Sequence, residues 1–224
     1  MNSNSGFGAC SNEKDSGLLD SFENISRSRK ITPAVIAAAL SACATETVFL
    51  NSERIERQFG SYGIDVLASE AGMRRSSLYS VEGVERICRT YAIVRFTEDP
   101  HTSFRPEHAK VLAGNSLGQV FKSNDWSIHK QTLHLGSFDL RGSDSEIATL
   151  MQLSETRTLG LHIYQLLLTR DSQVFEYATI VEAHHLDYLS LSDLLEIYHY
   201  DYSESLSASS LTELIDLVTS KSAT

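Results

Sequence analysis

The sequence predicts an α+β fold, a mainly antiparallel sheet of about six strands with helices packed on it. Three observations carry that prediction. Period-two alternation of apolar and polar residues runs through long stretches of the chain's centre, the signature of strands. Two pairs of these stretches are separated only by short turn signals, Glu82-Gly83 and Arg170-Asp171-Ser172, and so short a connection forces antiparallel pairing. Helical patterns stand at the start, middle and end, not between every successive pair of strands as parallel crossovers would need.

In chain order, residues 1–28 are rich in Ser, Asn and Gly and read as a flexible tail. Residues 29–224 read as one domain with helical extensions at both ends. "TPAVIAAALSACA" (Thr32–Ala44) has a capping Thr32, Pro33 in the first turn and a run of alanines, the start signals of a helix. "NSERIERQF" (Asn51–Phe59) is a second helix, stopped by Gly60. Ile64–Glu70, Arg75–Val81 and Val84–Phe96 read as strands. Pro106–Phe121 reads as helical pieces broken near Gly114, and Trp126–Leu140 as a strand. The stretch "LGLHIYQLLLTRDSQVFEYATIVEAHH" is a second hairpin, and Leu191–Tyr200 and Leu211–Lys221 are amphipathic helices. "RTYAIVR" (Arg89–Arg95) echoes "EYATIVE" (Glu176–Glu182), so the closing strands of the two hairpins share a shape, with Arg89 opposite Glu176.

Composition excludes several classes. The 224 residues carry 19 Lys and Arg against 29 Asp and Glu, a net charge of −10. That argues against nucleic acid as the main partner, because phosphate binding needs a concentrated positive field. No apolar run approaches the roughly 20 residues of a membrane span, and the first residues show no signal pattern. Cys10, Cys43 and Cys88 are scattered and odd in number, which suggests neither a disulfide framework nor a zinc site and fits a reducing cytoplasm. His184-His185 is read as a loop or surface pair, since neighbouring strand residues point to opposite faces. "GNSLG" (Gly114–Gly118) lacks the glycine spacing and lysine of a phosphate loop.

The residue that needs explaining is Arg89. In "VERICRTYAIVRF" it sits between Ile87 and Tyr91 on the more apolar face of a strand. By itself, such an Arg is a salt-bridge partner or a snorkelling edge residue.

From Glu53 to Leu189 the sequence resembles the chorismate lyase family, which makes 4-hydroxybenzoate and pyruvate from chorismate. "ERIERQFG", the Arg-Thr of "CRTYAIV", the Leu117-Gly118 of "AGNSLGQVF" and the final hairpin "YQLLLTRDSQVFEYATIVEAH" carry the resemblance by their order and spacing. It implies an antiparallel sheet with helices packed against it and no cofactor; no metal is expected, since His184-His185 has no evident third ligand. It implies that Arg89 lines a closed pocket and faces a substrate carboxylate. A second Arg comes from the preceding strand, either Arg74 or Arg75, and counting back from Arg89 without gaps favours Arg74. Guanidinium groups pair with carboxylates in bidentate geometry, and chorismate has two carboxylates. Leu78, Tyr91 and Leu117 would shape the apolar walls. The family also needs a carboxylic acid on the last strand of the second hairpin to protonate the departing enolpyruvyl group. Here the sequence departs from the pattern, because the turn count lands on Ala178 or Thr179. Glu176 and Glu182 share a face with Ala178 by period two, and the internal echo selects Glu176.

The resemblance thus implies a cofactor-independent carbon–oxygen lyase acting on chorismate or a similar cyclic or aromatic carboxylate. The alternative is a non-catalytic binder of an aromatic carboxylate, since the effector domains of winged-helix transcription regulators share the fold. An interaction module without a ligand is a third reading. Oligomeric state is not legible.

Overall fold

The computed structural model describes residues 37–38, 49–70, 72–97, 101–140 and 146–199. The expected tail over 1–28, the closing helix over 211–221 and all but two residues of the helix over 32–44 lie outside them. Ala37 and Ala38, the exceptions, are helical.

The described chain is α+β, with one six-stranded antiparallel sheet and a few helices. Helix α1 (Asn51–Phe59) ends where Gly60 takes a left-handed φ of 76°, a conformation glycine adopts without steric cost. Strands β1 (Gly63–Glu70), β2 (Met73–Glu82) and β3 (Glu85–Phe96) follow as a meander. The β2–β3 turn is Gly83-Val84, one residue later than expected. A 3₁₀ turn (Thr102–Phe104) leads to α2 (Arg105–Leu112) and α3 (Leu117–Lys122), separated around Gly114 at φ 100°. Then come β4 (Ser127–Leu140), α4 (Glu146–Leu150), β5 (Arg157–Arg170), β6 (Gln173–His184) and α5 (Leu191–Tyr198). Asp171 and Ser172 form the tight β5–β6 turn, both at positive φ, the geometry that matches strand twist. Neither α4 nor the 3₁₀ turn has a signal in the sequence, being five and three residues long.

The strand order is β1-β2-β3-β6-β5-β4. Two three-stranded meanders therefore meet through their last strands, along a ladder from Thr90↔His184 to Phe96↔Ala178. Strands β5 and β6 lie inside the sheet with both faces covered, and β5 is buried almost throughout, so it reads as a continuous apolar run. One face packs Cys88, Tyr91, Ile93, Leu161, Ile163 and Val181 under α4. The other packs Phe104, Phe121, Tyr177, Leu168 and Ile180 under α2 and α3, with Ile55, Leu135 and Leu194 beside them under α1 and α5.

Each strand pair outside the central ladder contains a register shift. Two of these bulges decide where functional side chains point. In β2–β3, Leu78 pairs with Thr90 and Tyr79 with Cys88, leaving Arg89 as the extra residue. In β5–β6, Leu166 pairs with Ala178 and Leu167 with Glu176, leaving Tyr177 extra. A bulge inserts one residue into one strand only, so the inside–outside alternation changes phase across it. Among the described residues no helix is long and apolar enough to cross a membrane.

Candidate functional site

All six strands contribute to the floor of one cavity, on the face covered by α1 and α3. Its roof is Leu50–Ser52 at the start of α1 and Ser116–Gly118 at the start of α3. The two roof pieces touch: a Cβ on Gly118 would come within 2.8 Å of a Leu50 methyl, so only glycine lets them close without displacing that side chain. The cavity encloses about 70 Å³, room for several waters or a small ring. Its walls are mostly apolar, with Leu78, Ala92, Val94, Ile128, Leu166 and Ile180 supplied by five strands.

Among the described residues three charged side chains line it, Arg74, Lys130 and Glu182. Arg74 comes from β2 and is 3% exposed. Its Nη1 donates to the carbonyls of Val111 and Asn115 at 2.9 and 3.1 Å, which anchors it to the α2–α3 connection. Its Nε has no protein partner, and neither do the nearby hydroxyls of Ser76 and Ser52. Buried donors left in this state cost free energy until a ligand or water meets them. Burial pulls the Arg74 pKa down, opposed by Tyr177 and Tyr62, but a guanidinium stays charged at any physiological pH. No carboxylate pairs with it among the described residues.

Across the cavity, Glu182 on β6 accepts from Tyr164 Oη at 2.9 Å and from Lys130 Nζ at 3.4 Å. Lys130 also reaches Tyr198 Oη at 3.5 Å and lies 4.5 Å from the centre of the Tyr164 ring. Burial alone would raise the Glu182 pKa; Lys130 and His184 outweigh it and hold the carboxyl below its usual range. The same pairing keeps Lys130 charged, its pKa raised although desolvation alone would lower it. His184 Nδ1 is 3.0 Å from Thr90 Oγ1, and its Nε2 lies 3.8 Å from Glu182. Burial pushes His184 down to about 4, so it is neutral at pH 7.

His162, Glu182 and His184 bring ligand atoms within 4.8 Å of one another, all buried. The expected reading of His184-His185 as a surface pair is therefore corrected: both are buried, and His184 turns to the face of Glu182. A divalent cation at that cluster would stand beside the Lys130 ammonium, which already occupies the carboxylate, so the arrangement favours an ion pair over a metal.

Of the six residues singled out from the sequence, Arg74, Leu78 and Leu117 line this cavity and Arg89, Tyr91 and Glu176 do not. The choice of Arg74 over Arg75 agrees with the register: Arg75 turns to the opposite face and pairs with Glu146 at 3.2 Å. Tyr91 is on that opposite face too, donating to Glu146 at 2.8 Å. Arg89 is buried, yet its guanidinium is already committed. Nε donates to Ser80 Oγ at 2.8 Å, Nη2 pairs with Glu82, and the group lies 3.8 Å from the centre of the Phe59 ring. The expectation that it faces a ligand gives way to a structural role, because the bulge sends it toward α1 beyond the cavity's end. Glu176 accepts from Gln165 at 3.1 Å on the face away from the cavity. Burial raises its pKa, but the bulge at Tyr177 separates it from Glu182, and period-two counting across that bulge put the two on one face.

Lys130 and Tyr164 were not singled out from the sequence. A lysine at the centre of the otherwise half-apolar "SIHKQTLHL" was the available signal, weakened because a mid-strand lysine is ordinarily solvated. No protein-family model matches the chain, and no curated protein matches it.

Proposed function

We propose that this cavity binds a small cyclic or aromatic carboxylate, and that the protein is a cofactor-independent carbon–oxygen lyase of the chorismate lyase kind. The observation that carries the reading is Arg74, a buried guanidinium lining an apolar cavity with no acidic partner among the described residues. Such a charge calls for an anion, and the apolar walls call for that anion to be attached to a ring. Leu117-Gly118, one of the stretches that carry the resemblance, lies in the roof of this cavity.

In this reading Arg74 holds the ring carboxylate, and Glu182 replaces Glu176 as the acid. The bond between ring carbon and enolpyruvyl oxygen breaks, and a neighbouring ring carbon gives up its proton as the ring becomes aromatic. The departing enolpyruvate takes a proton and becomes pyruvate. General-acid help at that step contributes roughly 10²–10⁴-fold. One observation favours the alternative of a non-catalytic binder: Lys130 beside Glu182 favours its ionised form, leaving it without a proton to give.

The test is incubation with chorismate, with pyruvate followed by a coupled dehydrogenase, alongside thermal shift with 4-hydroxybenzoate. The lyase reading expects both a pyruvate signal and stabilisation. Stabilisation without pyruvate selects the binder, and absence of both removes the carboxylate reading.

A further inference from the structure

The charges in the cavity do not balance, and their imbalance depends on what enters. Among the described residues two cations, Arg74 and Lys130, face one carboxylate, Glu182. Lys130 and Glu182 neutralise one another at 3.4 Å, with side chains only 8% and 6% exposed. Arg74 is left with two neutral carbonyls. These side chains by themselves thus leave one surplus positive charge at the Arg74 end. A ring with a single carboxylate on Arg74 makes it neutral. A ring with two carboxylates leaves one surplus negative charge where almost no water screens it, a state that buried groups avoid by changing protonation.

The geometry points to a partner exchange: the second anionic group of a dianionic ligand takes Lys130 from Glu182, and Glu182 takes up one proton from solvent as that ligand binds. The inference rests on the carboxylate reading above and adds the charge class of ligand that the site distinguishes. The Lys130–Glu182 contact is long for a charged pair, and the ammonium already reaches toward Tyr198 at 3.5 Å, so little movement frees it. Every other group facing Glu182 leaves it as the proton's destination. Tyr164 already donates to it, and burial holds the phenols of Tyr62 and Tyr188 above their ordinary pKa. His162, stacked 4.5 and 4.2 Å from Tyr164 and Tyr198, is kept neutral by burial and by Lys130. Among the described residues His184 is the competitor, its Nε2 3.8 Å from Glu182 and without a hydrogen bond; Glu182 favours a charge there, but burial, Lys130 and Arg54 of α1 together outweigh it. A protonated Glu182 turned toward the second carboxylate is also the form a general acid needs, so the substrate would supply the proton the empty site lacks.

Isothermal titration calorimetry of the full chain at pH 7, in phosphate and in Tris, reads the protons taken up from the difference in apparent enthalpy. The probes are 4-hydroxybenzoate, a monoanion, and 4-(1-carboxyvinyloxy)benzoate, a dianion whose ring is already aromatic and cannot eliminate. The expected result is close to no uptake for the first and about one proton per ligand for the second, with dianion affinity falling roughly tenfold per pH unit above neutrality. In Glu182→Gln, the dianion should bind with no uptake. Equal uptake for the two probes in the unaltered protein overturns the exchange while leaving the carboxylate site standing, and needs no variant to fold. Uptake that persists in Glu182→Gln moves the proton to His184 and overturns the assignment. Failure of both probes to bind removes the carboxylate site and the exchange together.

Discussion

A guanidinium inside a protein needs partners for its charge, and Arg74 and Arg89 find them in different ways. Arg89 is satisfied by Ser80, Glu82 and the face of Phe59, whereas Arg74, which lines the cavity, keeps its Nε without a protein partner. Arg74→Met should weaken 4-hydroxybenzoate binding roughly 10- to 150-fold, the value of about 1.5–3 kcal/mol for hydrogen bonds to a charged group. Arg89→Met should leave binding within about twofold and lower stability by about 1–2 kcal/mol through the lost ring contact and hydrogen bond. Equilibrium dialysis and denaturant melts separate the two effects. A matching contrast holds for the acids. Glu182→Gln should cut pyruvate release by roughly 10²–10⁴-fold, and leave Lys130 uncompensated at a cost of about 3–5 kcal/mol. Glu176→Gln, which only exchanges one partner of Gln165 for another, should turn over normally. Equal losses in both variants would put the acid elsewhere.

At the scale of the element, the sheet was legible because alternation and turn residues are local properties. The strands, their antiparallel pairing, α1 with its Gly60 stop and the Asp171-Ser172 turn all follow from neighbours in sequence. The face of each strand was legible only up to its first bulge. Arg74 precedes the shift at Arg89, and Leu78 pairs just before it; both point where counting puts them. Beyond the shift, Arg89 does not. Glu176 and Glu182 stand on either side of Tyr177, so the count that joined them crossed a bulge that no residue type announces. Lys130 was illegible for another reason, since its ion pair comes from a strand 52 residues away in sequence. One glycine tests the packing of elements directly. A Cβ on Gly160 of β5 would meet the Leu189 carbonyl at 2.6 Å, a backbone atom that cannot swing aside. Gly160→Ala should therefore destabilise by about 1–3 kcal/mol through overpacking, visible as a lower denaturant midpoint.

For the whole molecule, the order β1-β2-β3-β6-β5-β4 is a three-strand meander running inward from each edge, with the echoing strands β3 and β6 side by side at the centre. The cavity lies over that seam, and the polar cluster beside it fixes how the fold responds to acid. His134, His162, His184 and His185 all have pKa values lowered by burial, so the unfolded chain binds protons that the folded one refuses. Stability should then fall as pH drops below 6.5, and His184 alone, held at about 4, accounts for roughly 3 kcal/mol between those limits. Glu182 adds to the loss at lower pH: its carboxyl is held below 4.5, so its stabilising ion pair is present above that value and fades beneath it. Thermal melts from pH 7.5 to 4 should show a steady decline beginning near neutrality; a flat profile to pH 5 would contradict the buried histidines. The central claim, that Arg74 and not Arg89 receives a carboxylate, is tested most directly by a crystal structure with 4-hydroxybenzoate. The account predicts the ring beneath Leu117, its carboxylate within hydrogen-bond distance of Arg74 and its hydroxyl toward Glu182. Ligand density beside Arg89, or a cavity that stays free of ligand at saturating concentration, would contradict it.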